Sequence, residues 1–310
     1  MASLQTHGEI YYDYDRILKM YLGNTCIYSK PKYPDPFVEE GKMWVYYDVT
    51  TTESATPLLY RNTSTIGFNR AFSSMEIDDG TIIELGNSTT NNIVSYTFST
   101  TGEHLVKFVL LPNTYKLGNM FRNSSGIETK YKRVYIPSEI TTLGIFSYGV
   151  SGVEGVYNTQ HITTFTDQMC FLFSPSDPMV QIAPLDLSGA TTLPNNMVKG
   201  TFGNLILNNN LTTITEGWCS TGGNSSPLCT KFVIPESVTT IGSNFLWRSY
   251  YVRYVICKPT TPPTLGSGSF NGLTDFKILV PANSVNAYKE ATGWTSWASK
   301  IEAIPEDYVY

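Results

Sequence analysis

The chain has three histidines, His7, His104 and His161, and these are the first side chains to weigh as a general base. His104 sits within a strand-like alternation and His161 opens a short repeat strand, so both read as structural. No GxSxG, HExxH, Walker or GxGxxG pattern occurs. Gly266-Ser-Gly268 lies in a repeat turn and lacks the strand–helix context of a phosphate cradle. Asp78-Asp79 reads as a hairpin turn rather than as paired acids; a facing pair of carboxylates brought together by the fold stays open. Cys26, Cys170, Cys219, Cys229 and Cys257 form no CxxC pair, so they read as small buried thiols rather than a zinc site, with a Cys219–Cys229 bridge open on export. The reading is a protein without catalytic residues, cofactor or metal.

Recognition chemistry is better represented. Trp247 with Tyr250, Tyr251 and Tyr254 makes an aromatic cluster of the kind that stacks on sugars. The competing reading has Trp247 and Tyr254 filling repeat cores while the other two face solvent. Polyanion binding is not expected: the net charge is −5, and the longest basic patch is Lys130-Tyr-Lys-Arg133.

The elements that must position these residues are mostly strands. The 310 residues are 41% hydrophobic and only 15% charged, with 21 Tyr, which suits a sizeable core and argues against disorder. Gly, Pro, Ser, Thr and Asn break the chain into short apolar runs, and long amphipathic stretches are nearly absent. No apolar run reaches the roughly 18 residues of a membrane span. Met1-Ala-Ser-Leu-Gln-Thr-His lacks the basic and apolar regions of a secretory signal, so the expectation is a chain that folds in the cytoplasm where it is made.

A unit recurs from about residue 106: a short apolar strand, often Pro, then Thr-Thr, an aliphatic residue and commonly Gly. Val134-Tyr-Ile-Pro-Ser-Glu-Ile-Thr-Thr-Leu-Gly144 and Phe232-Val-Ile-Pro-Glu-Ser-Val-Thr-Thr-Ile-Gly242 are the clearest copies. The residue after Thr-Thr falls at 143, 165, 193, 214 and 241, and Leu265 continues the series, giving steps of 22, 28, 21, 27 and 24. These fit the roughly 20–29-residue period of leucine-rich repeats. Each unit has two inward rungs that it cannot bury alone, so the units must stack. Pro ends the strand without leaving an unpaired donor, and the Gly is expected to make a sharp turn. At the end, Ser284 reads as an N-cap, with Val285, Tyr288 and Ala291 as an apolar stripe and Trp294, Trp297 and Ile301 as a lid over the last rung.

These residues resemble the BspA-like leucine-rich repeats of surface proteins of gut and oral bacteria and their phages, most closely over 234–246 and in the terminal module from Val280 to Ile301. The resemblance spans about residues 106–304 and weakens between 150 and 230. It implies a degenerate solenoid that works in attachment or structure.

The first hundred residues differ. Trp44–Val49, Ser74–Ile77, Thr81–Leu85, Val94–Phe98 and His104–Leu110 read as short strands of a small β-sandwich, with Asp79-Gly80 as a hairpin turn. Thr97–Lys107 resembles the closing strands of immunoglobulin-like modules, and the last strand runs into the first repeat at Phe108–Gly118. Before them, Ile17–Tyr28 reads as two strands around Gly23-Asn24, followed by a stiff Pro-rich linker. Lys19–Lys30 resembles a short motif of phage and prophage virion proteins, which makes Tyr21, Leu22, Gly23, Asn24, Ile27 and Tyr28 the candidate anchoring residues. The expected organisation is therefore mainly β: an anchor and oligomerisation segment at 1–42, an immunoglobulin-like β-sandwich at 43–105, leucine-rich repeats at 106–280 and a short helical cap at 281–310. The expected function is a phage virion structural protein (fibre, spike or capsid-surface decoration) that adheres to a host surface or mucosa. Its expected partners are other capsid or tail proteins, further copies of itself, with a trimer the commonest case, and a bacterial surface protein or glycan. Nucleic acid and membrane insertion are not expected. The rivals are a bacterial cell-surface adhesin and a glycan-binding module with Trp247, Tyr250 and Tyr251 at its contact.

Overall fold

The computed structural model describes residues 19–22, 25–29, 39–61, 71–86, 92–118, 120–124, 127–129, 131–151, 153–166, 171–174, 184–200, 204–217, 230–250, 252–306 and 308. The chain divides into two units, Met1–Phe37 and Val38–Tyr310. In the first, β1 (Lys19–Leu22) and β2 (Thr25–Ser29) pair antiparallel, with Leu22 opposite Thr25 and an irregularity between Met20 and Tyr21.

The second unit is mainly β. It opens with β3 (Lys42–Val49), β4 (Thr56–Arg61), β5 (Phe72–Ile77), β6 (Ile82–Glu84), β7 (Asn92–Tyr96) and β8 (Gly102–Leu110). β3 pairs antiparallel with β8, β8 with β5, and β5 with β6, while β4 and β7 form a separate antiparallel pair. Alternation sets the faces: Met43, Val45, Tyr47, Met75, Val106 and Phe108 point into one core with Leu58, Leu59, Val94 and Phe98. The β5–β6 turn carries Gly80 at φ +90°, a conformation that favours glycine. β4 is a strand that composition hid, because Thr56-Pro-Leu-Leu-Tyr-Arg61 contains Pro57; an irregularity in pairing accommodates it.

From residue 116 to 303 the chain winds into a β-solenoid of stacked coils with parallel ladders along its sides. The front ladder comprises Arg133–Tyr135, Gly155–Tyr157, Leu185–Leu187, Leu205–Leu207, Lys231–Ile234, Tyr254–Cys257, Lys277–Val280 and Ile301–Ala303. The lateral ladder holds Lys116–Leu117, Thr142–Leu143 and Thr164–Phe165, and later Thr213–Ile214, Thr240–Ile241 and Thr264–Leu265. Leu193 is buried at the corresponding place between the two groups. A third, back ladder of Phe121–Ser124, Ser147–Ser151, Phe171–Ser174 and Val198–Gly200 was not visible as a pattern in the sequence. In the last coils turns replace it, yet the main chain still bonds between coils: Asn244 N–H to Ser267 O at 2.9 Å, Leu246 to Ser269 at 2.7 Å and Arg248 to Asn271 at 2.8 Å.

The Thr-Thr signature has a main-chain cause. Thr163 and Thr164 N–H both donate to Thr141 O, and Thr239 and Thr240 N–H both donate to Thr212 O, so each pair hooks onto the coil before. The following aliphatic residue turns into the core. The glycine after it serves a different purpose from the expected turn. Neither Gly242 nor Gly266 has positive φ; a Cβ at Gly266 would lie 2.3 Å from Ser243 N, and one at Gly242 would lie 2.6 Å from Glu216 N. Close approach of neighbouring coils is what demands glycine there. His161 likewise does not begin a strand, but lies in the turn between Gly155–Tyr157 and Thr164–Phe165.

The end of the solenoid is closed by a short helix, α1 (Val285–Glu290), between 3₁₀ turns Ala282–Ser284 and Thr295–Lys300. Ser284 is not a side-chain cap: its hydroxyl donates to Thr260 O at 2.7 Å instead. Tyr288 and Trp294 are fully buried, with Tyr288 OH donating to Pro259 O and Trp294 Nε1–H to Pro263 O, both at 2.8 Å. Phe232, Phe245, Phe270, Phe276, Trp294 and Trp297 form a chain of ring contacts that runs through the last coils into this lid. Ile301 then adds a final rung to the front ladder.

Candidate functional site

The junction between the first strands and the coils carries a row of outward aromatic and charged side chains. β3 is wedged antiparallel between β8 and Arg133–Tyr135, so one six-stranded sheet runs from β6 to Gly155–Tyr157. Strand register aligns Glu76, Lys107, Trp44, Tyr135 and Tyr157 in one row across it. Val45, Tyr47 and Val134 occupy the inward positions, which leaves this row on the outer face.

Within the row, Lys107 Nζ lies 4.4 Å from the Trp44 ring centroid, and Tyr135 stacks on Tyr157 at 4.6 Å with 12° between planes. Tyr46 meets Tyr135 edge-on at 6.0 Å. Gly155 belongs to this arrangement, because a Cβ there would stand 2.6 Å from the Tyr157 ring. The next outward positions along the coils are Asp186, Ile206 and Val233, of which Ile206 is 47% exposed.

Charge frames the aromatic row on both sides. Glu39 pairs with Lys107 and with Lys42, the latter at 2.7 Å, and Lys42 reaches Glu76 at 2.9 Å. Hydrogen bonds from Lys107 and then Lys42 hold the Glu39 carboxyl below its ordinary range. On the other side Arg133, only 5% exposed in its side chain, pairs with Glu103 and lies 4.7 Å from the Tyr46 ring, with Glu154 Oε2 3.8 Å from its Nε. Lys132 bonds Glu154 at 3.1 Å. Among the described residues, the buried side-chain polar atoms without a hydrogen-bond partner are Trp44 Nε1, Arg133 Nε and Glu139 Oε2. All three belong to β3, the strand beside it or the turn that follows. Buried polar groups are rarely left unpaired, so among the described residues this seam is where stability alone does not account for the side chains present.

Among the described residues, His104 has the contacts that look most like a catalytic constellation. Its Nδ1 is 3.1 Å from Asp78 Oδ1, and its Nε2 is 3.2 Å from Thr100 Oγ1. Nε2 also lies 3.0 Å from the Thr100 carbonyl oxygen, which can only accept. Through these contacts the ring ties the Asp78 turn to the Thr100 turn. His161 donates through Nε2 to Pro137 O at 2.9 Å, and burial holds its pKa below the ordinary histidine value. Among the described residues no group of three His, Cys, Asp or Glu could hold a metal, and no helix is long and apolar enough to cross a membrane.

The candidate residues read from the sequence are placed as follows. Tyr21 and Leu22 lie on β1, Ile27 and Tyr28 on β2, while Gly23 and Asn24 lie outside the described residues. Trp247 is half-buried with the Arg248 guanidinium 4.4 Å from its ring, and Tyr250 is exposed. Tyr251 lies outside the described residues, as do Cys170, Cys219 and Cys229. The core at this place is filled by Phe245, Leu246 and Val252 and not by Trp247 or Tyr254. Tyr254 sits on the outer front face between Lys231 and Lys277. The Trp44–Tyr135–Tyr157 row escaped sequence reading because its members are about 90 and 20 residues apart, and only strand register aligns them. No model of a known protein family matches the chain, and no curated protein matches it in sequence.

Proposed function

We propose that the protein is a phage virion structural component (a fibre, spike or capsid-surface decoration) that presents its coils for adhesion to a host or mucosal surface. The observation that carries this reading is the outer front face: a row of aromatic and charged side chains fixed in register on a stack of coils. Such a face suits recognition of a surface protein or glycan, because it is broad and pre-formed. On this reading the coils are degenerate BspA-like leucine-rich repeats, the strands from β3 to β8 are an immunoglobulin-like sandwich, and residues 1–42 anchor the chain to other virion proteins and to further copies of itself. Mass spectrometry of purified particles of a phage encoding the chain tests it. Stoichiometric presence is expected. Absence from particles together with recovery from bacterial envelopes would replace this reading with a cell-surface adhesin.

A further inference from the structure

The front face changes character in the last coils. Register aligns Val233, Ile256, Leu279 and Glu302 in one outward row, with Lys231, Tyr254 and Lys277 in the row beside it. Alternation points Ile256 and Leu279 away from the core, to which Val255, Cys257, Ile278 and Val280 belong. They are nevertheless only 0% and 4% exposed, so something covers them from outside.

The C-terminal segment is in position to do so. Ile304 N–H donates to Val280 O at 2.8 Å, which extends the last strand, and Tyr308 N–H donates to Pro305 O at 3.1 Å, which closes a turn. The Tyr308 ring then comes within 5.9 Å of Lys231 Nζ. Lys231 lies on Lys231–Ile234, and the strands Tyr254–Cys257 and Lys277–Val280 separate it from Ile301–Ala303. A segment joining these two places has to pass over the strands that carry Leu279 and Ile256.

We propose that this outer face is a docking groove for an extended acidic peptide bearing an aromatic side chain, and that the segment that carries Ile304 and Tyr308 is its resident occupant, displaced when a partner docks. Charge supports the choice of partner. Lys231 and Lys277 lie on strands of this face and Lys258 follows the strand between them, with Lys277 also paired to Glu302 at 2.8 Å, whereas the segment Ile304-Pro-Glu-Asp-Tyr-Val-Tyr310 is acidic and aromatic. Its aromatic ring meets a cation on the groove wall. The inference goes beyond adhesion through the aromatic row and does not depend on it, since Trp44, Tyr135 and Tyr157 lie on other strands.

The probe is a fluorescently labelled synthetic peptide of residues 303–310, titrated against the full chain and against a full-length Glu306→Lys/Tyr308→Ala variant, and read by anisotropy. The variant is expected to bind the peptide at least about ten-fold more tightly than the parent, because its own segment competes less well. Added salt should weaken that binding, and Leu279→Asp in the variant should abolish it. Equal binding by parent and variant, or none by a variant whose melting matches the parent, overturns the proposal. Binding indifferent to Leu279→Asp overturns it as well, because the peptide would then sit elsewhere. If Leu279→Asp does not fold, Lys231→Glu in the variant serves the same purpose, with lost binding expected and unchanged binding overturning the groove.

Discussion

Gly266→Ala tests the account of coil stacking most directly. A Cβ at this position would stand 2.3 Å from Ser243 N and 2.5 Å from Gly242 C. Ordinary contact needs about 3.4 Å or more, so the two coils must separate by about 1 Å, and the obstacle is main chain that cannot rotate aside. Overpacking of this kind costs about 1–3 kcal/mol. The same movement strains two bonds across the gap, Gly266 N–H to Ile241 O at 2.7 Å and Thr264 N–H to Thr239 O at 2.9 Å. Each contributes about 1 kcal/mol. The expected loss is therefore about 3–5 kcal/mol, or a fall in Tm of about 6–20 °C at about 2–4 °C per kcal/mol for a unit of this size. Gly80→Ala is the control: Gly80, unlike Gly266, stands at positive φ, and nothing lies within 4 Å of its Cβ. It should cost only about 1 kcal/mol of backbone strain. Thermal and urea unfolding followed by circular dichroism distinguish the two. A Gly266→Ala loss no larger than that of Gly80→Ala would refute close approach as the reason for glycine at this step.

Three further outcomes are expected. Glu103→Gln leaves the buried Arg133 guanidinium without its main partner and should cost about 2 kcal/mol, whereas Arg133→Met removes the charge and should cost less than 1 kcal/mol; urea midpoints in the reverse order would contradict the junction as described. Trp294→Ala empties the lid and should cost about 3–5 kcal/mol, with hydrogen exchange rising first in the last coils rather than uniformly. Burial pushes the Cys257 thiol up, so it stays protonated in the fold after the unfolded chain would release its proton near pH 8.5. Its contribution is present in full below that pH and is lost as pH rises, by about 2 kcal/mol at pH 10; Cys257→Ala should flatten the decline of Tm between pH 8 and 10.

What the sequence disclosed follows from how far each pattern reaches along the chain. Ile-Pro-Glu-Ser-Val-Thr-Thr-Ile-Gly compresses a strand end, a turn and a rung into nine consecutive residues, so the solenoid was legible from its clearest copies. The back ladder was not, because segments such as Arg122–Ser124 and Lys199-Gly200 carry no apolar alternation, and their pairing is decided by the coil already beneath them. Trp247 misled for the opposite reason. It adjoins the core residues Phe245 and Leu246 in sequence, but the tight turn with Arg248 at φ 61° swings it to the side of the stack. The front-face row needed Trp44 to meet Tyr135 across a strand that the chain lays down long before the coil it joins, a relation no local pattern expresses.

That early strand gives the solenoid a direction of assembly. β3 and β8 leave the ribosome before any coil, and together they present a finished sheet edge on which Arg133–Tyr135 can pair as soon as it emerges. Each later coil then finds a completed neighbour, so ordering the chain costs one coil's entropy at a time. The far lid has no such priority and is made last. Stalled nascent chains ending after about residue 200 should therefore already resist protease over β3 to Gly155–Tyr157, whereas chains lacking β3 should gain that resistance late or not at all. Repeat number, on this account, is free to change only between a beginning that is templated and an end that is capped.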